Sequence, residues 1–411
     1  MPLTTTHSTQ QGQTLATKMD VNSDASTSTV NYNHEPYETF QAKALALAQS
    51  LFGSRGVVIT LDRMSGGAHN RVVGININGR PRYILRIPRE PDVCDIAGEA
   101  AAFLFVLKNA GIPAPVVVSY DAGSANAIGS SYVVHKRVEG ECLYPHWWKS
   151  LSLSEKVKVA KQMGRTYKRI VETRNNQAGW PAMRAGEHGP DAQVHIESFT
   201  WGSAAPFLDR KLKADAVWEP NTPLAFSVFW FLTGVFDFHI ENLPYELKDH
   251  PRLGEYIQTL ERLVEMLKQM DARGVFKNVG YSLYHPDIAP RNIVYNWAVE
   301  GEASLTFLDW DEVSFMPTYM ACQPPNWLWL NDRSSDNNDT AQHAKERFHA
   351  FHAEVGDEFK LYAYNPVYDI LRKTMSLVTK RTVCSAVELR HAKYILAEWQ
   401  QYVLEHPVPA Y

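Results

Sequence analysis

From residue 37 onward the chain switches between two hydrophobic periods. Phe40, Ala44, Leu47 and Leu51 recur at helical spacing, and Gly53 follows as a C-terminal cap, so a helix is predicted over 37–51. The period then shortens to two. Residues 57–61 read as a strand, Val73, Ile75 and Ile77 alternate on a second, and residues 83–87 form a third. Ser65 to Asn70 is a turn rich in residues that tolerate positive φ, and Asn78-Gly79 is a tight-hairpin signal. A helix is predicted over about 92–109, with Ile96, Ala100, Phe103 and Leu107 on one face, followed by strands at 115–119 and 131–134. Three strands, a helix and two strands is not the order of a doubly wound sheet.

Beyond Gly140 the pattern turns helical. Ser152 to Glu155 is a capping box, and Val157, Ala160, Met163, Tyr167 and Ile170 trace one stripe behind it. Residues 175–250 are rich in Trp, Phe and Pro and give no detailed reading. A helix is expected over 253–270, and mainly helices after Pro325. Residues 1–35 are rich in Thr, Ser and Gln with few large apolar groups, which predicts a disordered tail. The expected organisation is a tail at 1–35, a sheet-bearing lobe at 36–140 and a mainly helical lobe at 141–411.

Composition narrows the function. With 411 residues, 45% of them hydrophobic, the chain is long enough for two lobes with a sizeable core. A net charge of −4 gives no electrostatic case for a nucleic-acid binder. Cys94, Cys142, Cys322 and Cys384 are far apart, with no C-x-x-C pair, so a zinc ribbon or redox dithiol is not expected. No apolar run approaches the roughly 20 residues of a membrane span. Before residue 35 there is no Arg and only Lys18, whereas mitochondrial transit segments are Arg-rich, so the expected location is the cytoplasm.

The candidate chemistry lies in Tyr284-His285-Pro286-Asp287-Ile288-Ala289-Pro290-Arg291-Asn292 and in Leu305-Thr306-Phe307-Leu308-Asp309-Trp310-Asp311. The pattern is H-x-D-x-x-x-x-N on a loop, a strand, a turn, a second strand and an Asp. Phosphoryl transfer needs a carboxylate that orients an attacking hydroxyl and takes its proton, and oxygen ligands that hold magnesium on the nucleotide phosphates. Asp287 suits the first task. Asn292, five residues on, and Asp309, returned by a hairpin, suit the second. His343, His349 and His352 sit at positions of one amphipathic helix rather than at metal-ligand spacing. No G-x-x-x-x-G-K-[ST] is present, which excludes a P-loop ATPase.

This segment resembles the catalytic and metal loops of the aminoglycoside phosphotransferase and choline kinase-like branch of the protein-kinase-like fold. The resemblance implies an α+β, bilobal fold with a small antiparallel sheet lobe and a larger helical lobe. It implies an ATP- and Mg2+-dependent phosphotransferase acting on a hydroxyl of a small molecule. The catalytic loop then carries Asp287 as base and His285 in a structural role, and Asn292 and Asp309 hold the metal. Gly66 and Gly67 fall where such kinases fold a loop over the triphosphate. Arg86 stands where the family usually has the phosphate-binding Lys; it keeps the charge and adds a planar fork. Glu99 in the next helix is the implied partner of Arg86, and backbone groups near Lys136 and Val138 correspond to the hinge that meets adenine.

Two other classes are weighed against this reading. A pseudokinase or nucleotide-binding scaffold is favoured by Arg86 and disfavoured by the presence of Asp287, Asn292 and Asp309 together. A protein kinase would carry D-F-G at 309 and A-P-E downstream, and neither occurs. Arg291 can reach a phosphate or a substrate acid, or pair at the surface. The aromatic stretch 324–329 reads as core packing before it reads as the wall of an acceptor pocket. The acceptor, whether aminoglycoside, choline-like alcohol, sugar or another metabolite, is not legible. No nucleic-acid or membrane partner is expected.

Overall fold

The computed structural model describes residues 35–64, 70–90, 95–144, 146–184, 192–199, 227–299, 302–330, 340–379 and 385–407. The tail expected to be disordered lies outside these residues, except Glu35, and so does most of the 65–70 turn. The first sheet contains β1 (Ile59–Arg63), β2 (Asn70–Ile77), β3 (Arg80–Pro88), β4 (Val117–Asp121) and β5 (Tyr132–Lys136), in the order β1-β2-β3-β5-β4. The first three strands are antiparallel, with Ile59 opposite Ile77 and Ile75 opposite Tyr83. The Asn78-Gly79 hairpin forms as its sequence demands, both residues having positive φ (51° and 73°).

By backbone proximity the chain divides into two compact units, residues 1–94 with 121–134 and residues 95–120 with 135–411. The first unit opens with α1 (Tyr37–Phe52), whose Phe40, Ala44 and Leu47 are buried as the periodicity predicts. Gly53 caps it in an extended conformation (φ −67°, ψ 126°) rather than the left-handed one. Its role is space: a Cβ there would stand 2.3 Å from the Gln49 carbonyl oxygen.

The second unit opens with α2 (Ile96–Phe105), capped by the Asp95 side chain, which accepts from the Gly98 N–H at 2.9 Å. The helix continues as a π-helical turn, Val106–Ala110, and Gly111 ends it at φ 62°. Next come β6 (Glu141–Cys142), α3 (His146–Ser150) and α4 (Leu153–Glu172), which starts on the predicted Ser152 capping box. The segment that gave no reading contains β7 (Arg174–Asn175), β8 (Gly179–Met183), β9 (Val194–Ser198) and α5 (Val228–Glu246). Then come α6 (Leu253–Ala272), β10 (Tyr281–Tyr284), β11 (Ile293–Val299), β12 (Glu302–Phe307), β13 (Ser314–Pro317) and α7 (Thr318–Ala321). Four helices end the chain: α8 (Ala341–Glu354), α9 (Asp357–Tyr364), α10 (Pro366–Thr379) and α11 (Ala386–Glu405).

Two sheets in this unit position the candidate chemistry. One has the order β7-β10-β13-β8-β9, the other β12-β11-β6. Strand β10 is buried, and the Ser282 hydroxyl donates to the Val171 carbonyl at 2.9 Å, so the residue that leaves the strand toward His285 has a fixed starting point. The helical core beneath is apolar: on α6, Leu260, Leu263, Leu267 and Met270 are fully buried. Each such side chain contributes about 1.5–3 kcal/mol. Helix α4 meets α8 closely at Gly164, where a Cβ would lie 2.5 Å from the Phe351 carbonyl oxygen. The expected amphipathic helix carrying His343, His349 and His352 is α8. His343 is part of its N-terminal capping box, and His352 shares a 2.8 Å hydrogen bond with the Tyr364 hydroxyl.

Candidate active site

Strand β10 delivers the chain to His285, and the imidazole organises the loop beyond it. Its Nδ1 accepts the backbone N–H of Asp287 at 3.0 Å. That fixes the tautomer: Nε2 carries the proton and donates to the Leu308 carbonyl at 2.9 Å. The ring is 6% exposed and meets Trp310 edge-on at 4.6 Å between centroids. Burial pushes its pKa down, opposed by the Leu308 carbonyl and the nearby Asp287 and Asp311 carboxylates. A neutral His285 thus ties the loop bearing Asp287 to the strand end bearing Asp309. Those two hydrogen bonds make it a brace between the two segments.

Asp287 is half-buried and takes two side-chain hydrogen bonds on one oxygen. Oδ2 accepts from Asn292 Nδ2 at 2.9 Å and from the Arg291 guanidinium at 2.5 Å. Asn292 Nδ2 also donates to the Asp287 carbonyl at 3.1 Å. With the nitrogen committed to Asp287, the amide oxygen of Asn292 is turned the other way. A 3-10 turn at Pro290–Asn292 carries Asn292 directly into β11.

Asp309 comes back beside Asn292 through the hairpin. Ile293 pairs with Phe307, and one step further the Leu308 N–H donates to the Asn292 carbonyl at 2.8 Å. Asp309 has φ 64°, a left-handed conformation rare for a side chain with a Cβ, and it is exposed. Such a backbone costs on the order of 1 kcal/mol, less for Asp than for most residues. Trp310 closes the turn, donating from Nε1 to the Phe307 carbonyl at 2.8 Å. From the other side Leu143, just after β6, donates to the Ile293 carbonyl at 3.0 Å. Gly140 permits that approach, since a Cβ there would stand 2.3 Å from the Tyr295 carbonyl oxygen.

The donor set can be tested against magnesium. Among the described residues no group of three or more His, Cys, Asp or Glu gathers into a metal cage. Mg2+ does not ask for one: it is held by one or two carboxylates with waters and substrate phosphates. An outward amide oxygen on Asn292 and an exposed carboxylate on Asp309 are hard oxygen donors on adjacent backbone, and they fit such an ion.

The remaining candidates are more dispersed. Gly66 and Gly67 lie outside the described residues. Arg86 is half-buried on β3, opposite Val72 on β2. Glu99 is buried on α2, with His135 Nε2 at 3.7 Å from its carboxylate. Arg86 belongs to the first unit and Glu99 to the second. Lys136 ends β5 and its N–H donates to the Val116 carbonyl at 2.8 Å; Val138 is half-buried in the loop after it. Of the four cysteines, Cys322 is buried and Cys142 half-buried, both free thiols, while Cys94 and Cys384 lie outside the described residues.

Beside Asp287 a cavity of about 290 Å³ opens within the second unit. Its lining includes Tyr167 from α4, Tyr284 at the end of β10, His285 and Asp287 from the loop, and Met320, Ala321 and Gln323 to Trp327 after β13. The stretch expected to be core packing therefore divides: Pro324 to Trp327 face the cavity, while Leu328 is buried. Tyr167, Tyr284 and Met320 carry no sequence signal for this role, because they converge from distant elements. Arg291 was open between a ligand and a surface pair, and the structure gives it to Asp287.

The description "Phosphotransferase enzyme family" matches residues 60–320. A Candida albicans protein named "Altered inheritance of mitochondria protein 9, mitochondrial" is 23% identical over 344 residues, 71% of this chain and 53% of the relative. A Saccharomyces cerevisiae protein of the same name is 22% identical over 395 residues, 83% of this chain and 61% of the relative. The chain thus spans about half to three-fifths of the length of these relatives. Among solved structures, an ADP-bound aminoglycoside phosphotransferase has a TM-score of 0.47 at 12% identity, covering 87% of this chain and 97% of that one. A Plasmodium vivax ethanolamine kinase has 0.42 at 12% identity, covering 85% and 83%.

One expectation is overturned. The cytoplasmic location read from the arginine-free first 35 residues is contradicted by relatives that are named as mitochondrial. Arginine content is only one mark of a transit segment, beside amphipathic helicity, Ser richness and scarcity of acids, so its lack was a poor ground for exclusion. With a family match over residues 60–320 and a hairpin that joins Asp287, Asn292 and Asp309, the chain belongs to the phosphotransferase enzyme family and has its protein-kinase-like fold.

Proposed function

We propose that the protein transfers the γ-phosphoryl group of ATP to a hydroxyl of a small molecule, with Mg2+ as cofactor. The observation that carries this is the arrangement of Asp287, Asn292 and Asp309 around one hairpin, braced by His285. The acceptor hydroxyl sits in the cavity beside Asp287 and gives its proton to Oδ1, the carboxylate oxygen not engaged by Asn292 and Arg291. Its oxygen forms a bond to the γ-phosphorus as the bond to the β-phosphate oxygen breaks, and that electron pair leaves with ADP. Asn292 Oδ1 and the Asp309 carboxylate would hold Mg2+, which would neutralise charge on the phosphate oxygens. Arg86 and Glu99 are the further residues assigned to nucleotide binding. The Lys136 N–H is already bonded within the protein, so its carbonyl and the Val138 N–H are the groups that read adenine.

Neutral His285 takes no proton in this scheme. It keeps Asp287 and Leu308 in register, and most of the chain's contribution to catalysis is positioning and charge stabilisation. The names of the relatives further suggest a mitochondrial location, which fractionation of cells expressing a carboxy-terminally tagged chain would test. The proposed activity is tested by incubating the purified chain with Mg-ATP and a metabolite library while monitoring ADP release and phosphate incorporation into protein. ADP release that depends on a small molecule supports the proposal. A melting-temperature increase with Mg-ATP but no turnover on any acceptor would make the chain a nucleotide-binding scaffold, and phosphate on protein would make it a protein kinase.

A further inference from the structure

One cation belongs to the segment that carries the proposed chemistry, and its role rests on the phosphotransfer reading. From Tyr284 to Asp311 the sequence holds three aspartates and two glutamates, no Lys and a single Arg, Arg291. A triphosphate adds further negative charge. Catalysis of phosphoryl transfer depends on donors and cations that meet the charge on the transferring oxygens.

The backbone of Arg291 is held from two sides. It is the middle residue of the 3-10 turn Pro290–Asn292, where the Asn292 N–H donates to the Ala289 carbonyl at 2.9 Å. From β6 the Cys142 thiol donates to the Arg291 carbonyl at 3.2 Å, and its Sγ lies 3.5 Å from the Pro290 carbonyl oxygen. The Arg291 side chain leaves this fixed stem 61% exposed, and Nη2 donates to Asp287 Oδ2 at 2.5 Å. Its Nε and Nη1 have no acceptor among the described residues. An exposed Arg–Asp pair contributes little to stability, so stability gives no strong reason for a guanidinium at this place. Its planar fork is suited to phosphate. In the proposed reaction the acceptor hydroxyl lies about 2.6–3.2 Å from Asp287 Oδ1, with the γ-phosphorus next to it. A guanidinium on the other oxygen of that carboxylate is then a neighbour of the phosphoryl group in transfer.

We propose that Arg291 is a further catalytic residue: Nη2 holds Asp287 Oδ2, and the remaining guanidinium N–H groups donate to the oxygens of the phosphoryl group as it passes to the acceptor. No proton leaves Arg291 and no bond to it forms. The acceptor proton still goes to Asp287 and the electron pair of the broken bond still leaves with ADP. The guanidinium stabilises charge on the group between them.

The test needs no knowledge of the acceptor. Affinity of the full chain for Mg-ADP is measured with and without tetrafluoroaluminate, an anion that stands in for the phosphoryl group in transfer. The parent should bind Mg-ADP at least about 100-fold more tightly with the anion present, as expected of a transition-state mimic. Arg291→Ala should lose most of that gain, about 100-fold, the scale of one donor to a developing charge. Its affinity for Mg-ADP alone and its melting temperature should stay close to those of the parent. Arg291→Lys, which keeps the charge but not the fork, should recover part of the gain. A full gain in Arg291→Ala, an equal loss of affinity for Mg-ADP alone, or a parent that the anion leaves unchanged each overturns the inference. The metabolite screen separates the two layers. Acceptor-dependent ADP release by the parent beside any of those results leaves the phosphotransfer reading standing, whereas its absence with every acceptor removes that reading as well.

Discussion

The candidate catalytic hairpin and the cavity beside Asp287 adjoin each other and are built in opposite ways. The hairpin is local: within 26 residues, from Tyr284 to Asp309, the His285 bonds to Asp287 and Leu308, the Asn292 bonds to Asp287, and the Leu308–Asn292 backbone link hold Asp287 and Asn292 and bring Asp309 beside them. The pocket is assembled from afar, with α4, the 284–288 loop and the 320–327 stretch each supplying a wall. Its outer wall is anchored by Arg347 on α8, which is 1% exposed and donates from Nε to the Leu328 carbonyl at 2.6 Å. Chemistry held by short-range bonds is rigid and readable. Selectivity gathered from distant side chains can change without disturbing the chemistry.

If that division is real, variants on the two sides should separate cleanly. Asn292→Ala and Asp309→Ala should each lower turnover on the order of 100-fold, the scale expected when a few kcal/mol of metal-borne charge stabilisation is lost. Raising the magnesium concentration should restore part of it, as a titration of ADP release against Mg2+ would show. His285→Ala should cost about 2–4 kcal/mol in urea denaturation, because it orphans the Asp287 N–H and the Leu308 carbonyl and leaves a cavity beside Trp310. Arg347→Met should cost about 1–3 kcal/mol by freeing the Leu328 carbonyl, and it should raise acceptor KM more than it lowers kcat. An equal fall in kcat from Arg347→Met would merge the two regions into one mechanical unit.

A smaller effect is expected from acid. Burial depresses the folded-state pKa of His285, holds His239 at about 3 and lowers His352 to about 4. The unfolded chain takes up these protons near pH 6.5, while the folded chain resists them, so stability should fall as pH drops below about 6.5. Above that range these groups are neutral in both states and contribute no slope. Urea midpoints measured between pH 8 and pH 5 should show the decline, and His285→Gln should make it shallower. Asp309→Asn should be about 1 kcal/mol more stable than Asp309→Ala, because Asn tolerates a left-handed backbone better.

The same contrast explains what the sequence could show. The β11–β12 hairpin, the H-x-D-x-x-x-x-N loop, the Ser152 capping box and the Asn78-Gly79 turn are legible because each depends on neighbours a few residues away. The left-handed backbone at Asp309 is not, since Asp adopts it only under the tertiary hold of Leu308 and Trp310. Nor is the pairing of Arg291 with Asp287, because an Arg four residues from an Asp on a loop has no fixed direction. Gly53 was expected to supply backbone freedom and instead supplies room. Residues 175–250 gave no reading because short strands and a helix that is apolar almost all round show neither clear period.

The most direct test of the proposed chemistry is Asp287→Ala assayed for ADP release beside its affinity for Mg-ATP. Turnover should fall at least about 1,000-fold, as expected when a general base contributing about 10²–10⁴ also orients the nucleophile. Nucleotide affinity should stay within about threefold of the parent. Turnover retained by the folded variant would contradict the assignment of phosphoryl transfer to this hairpin.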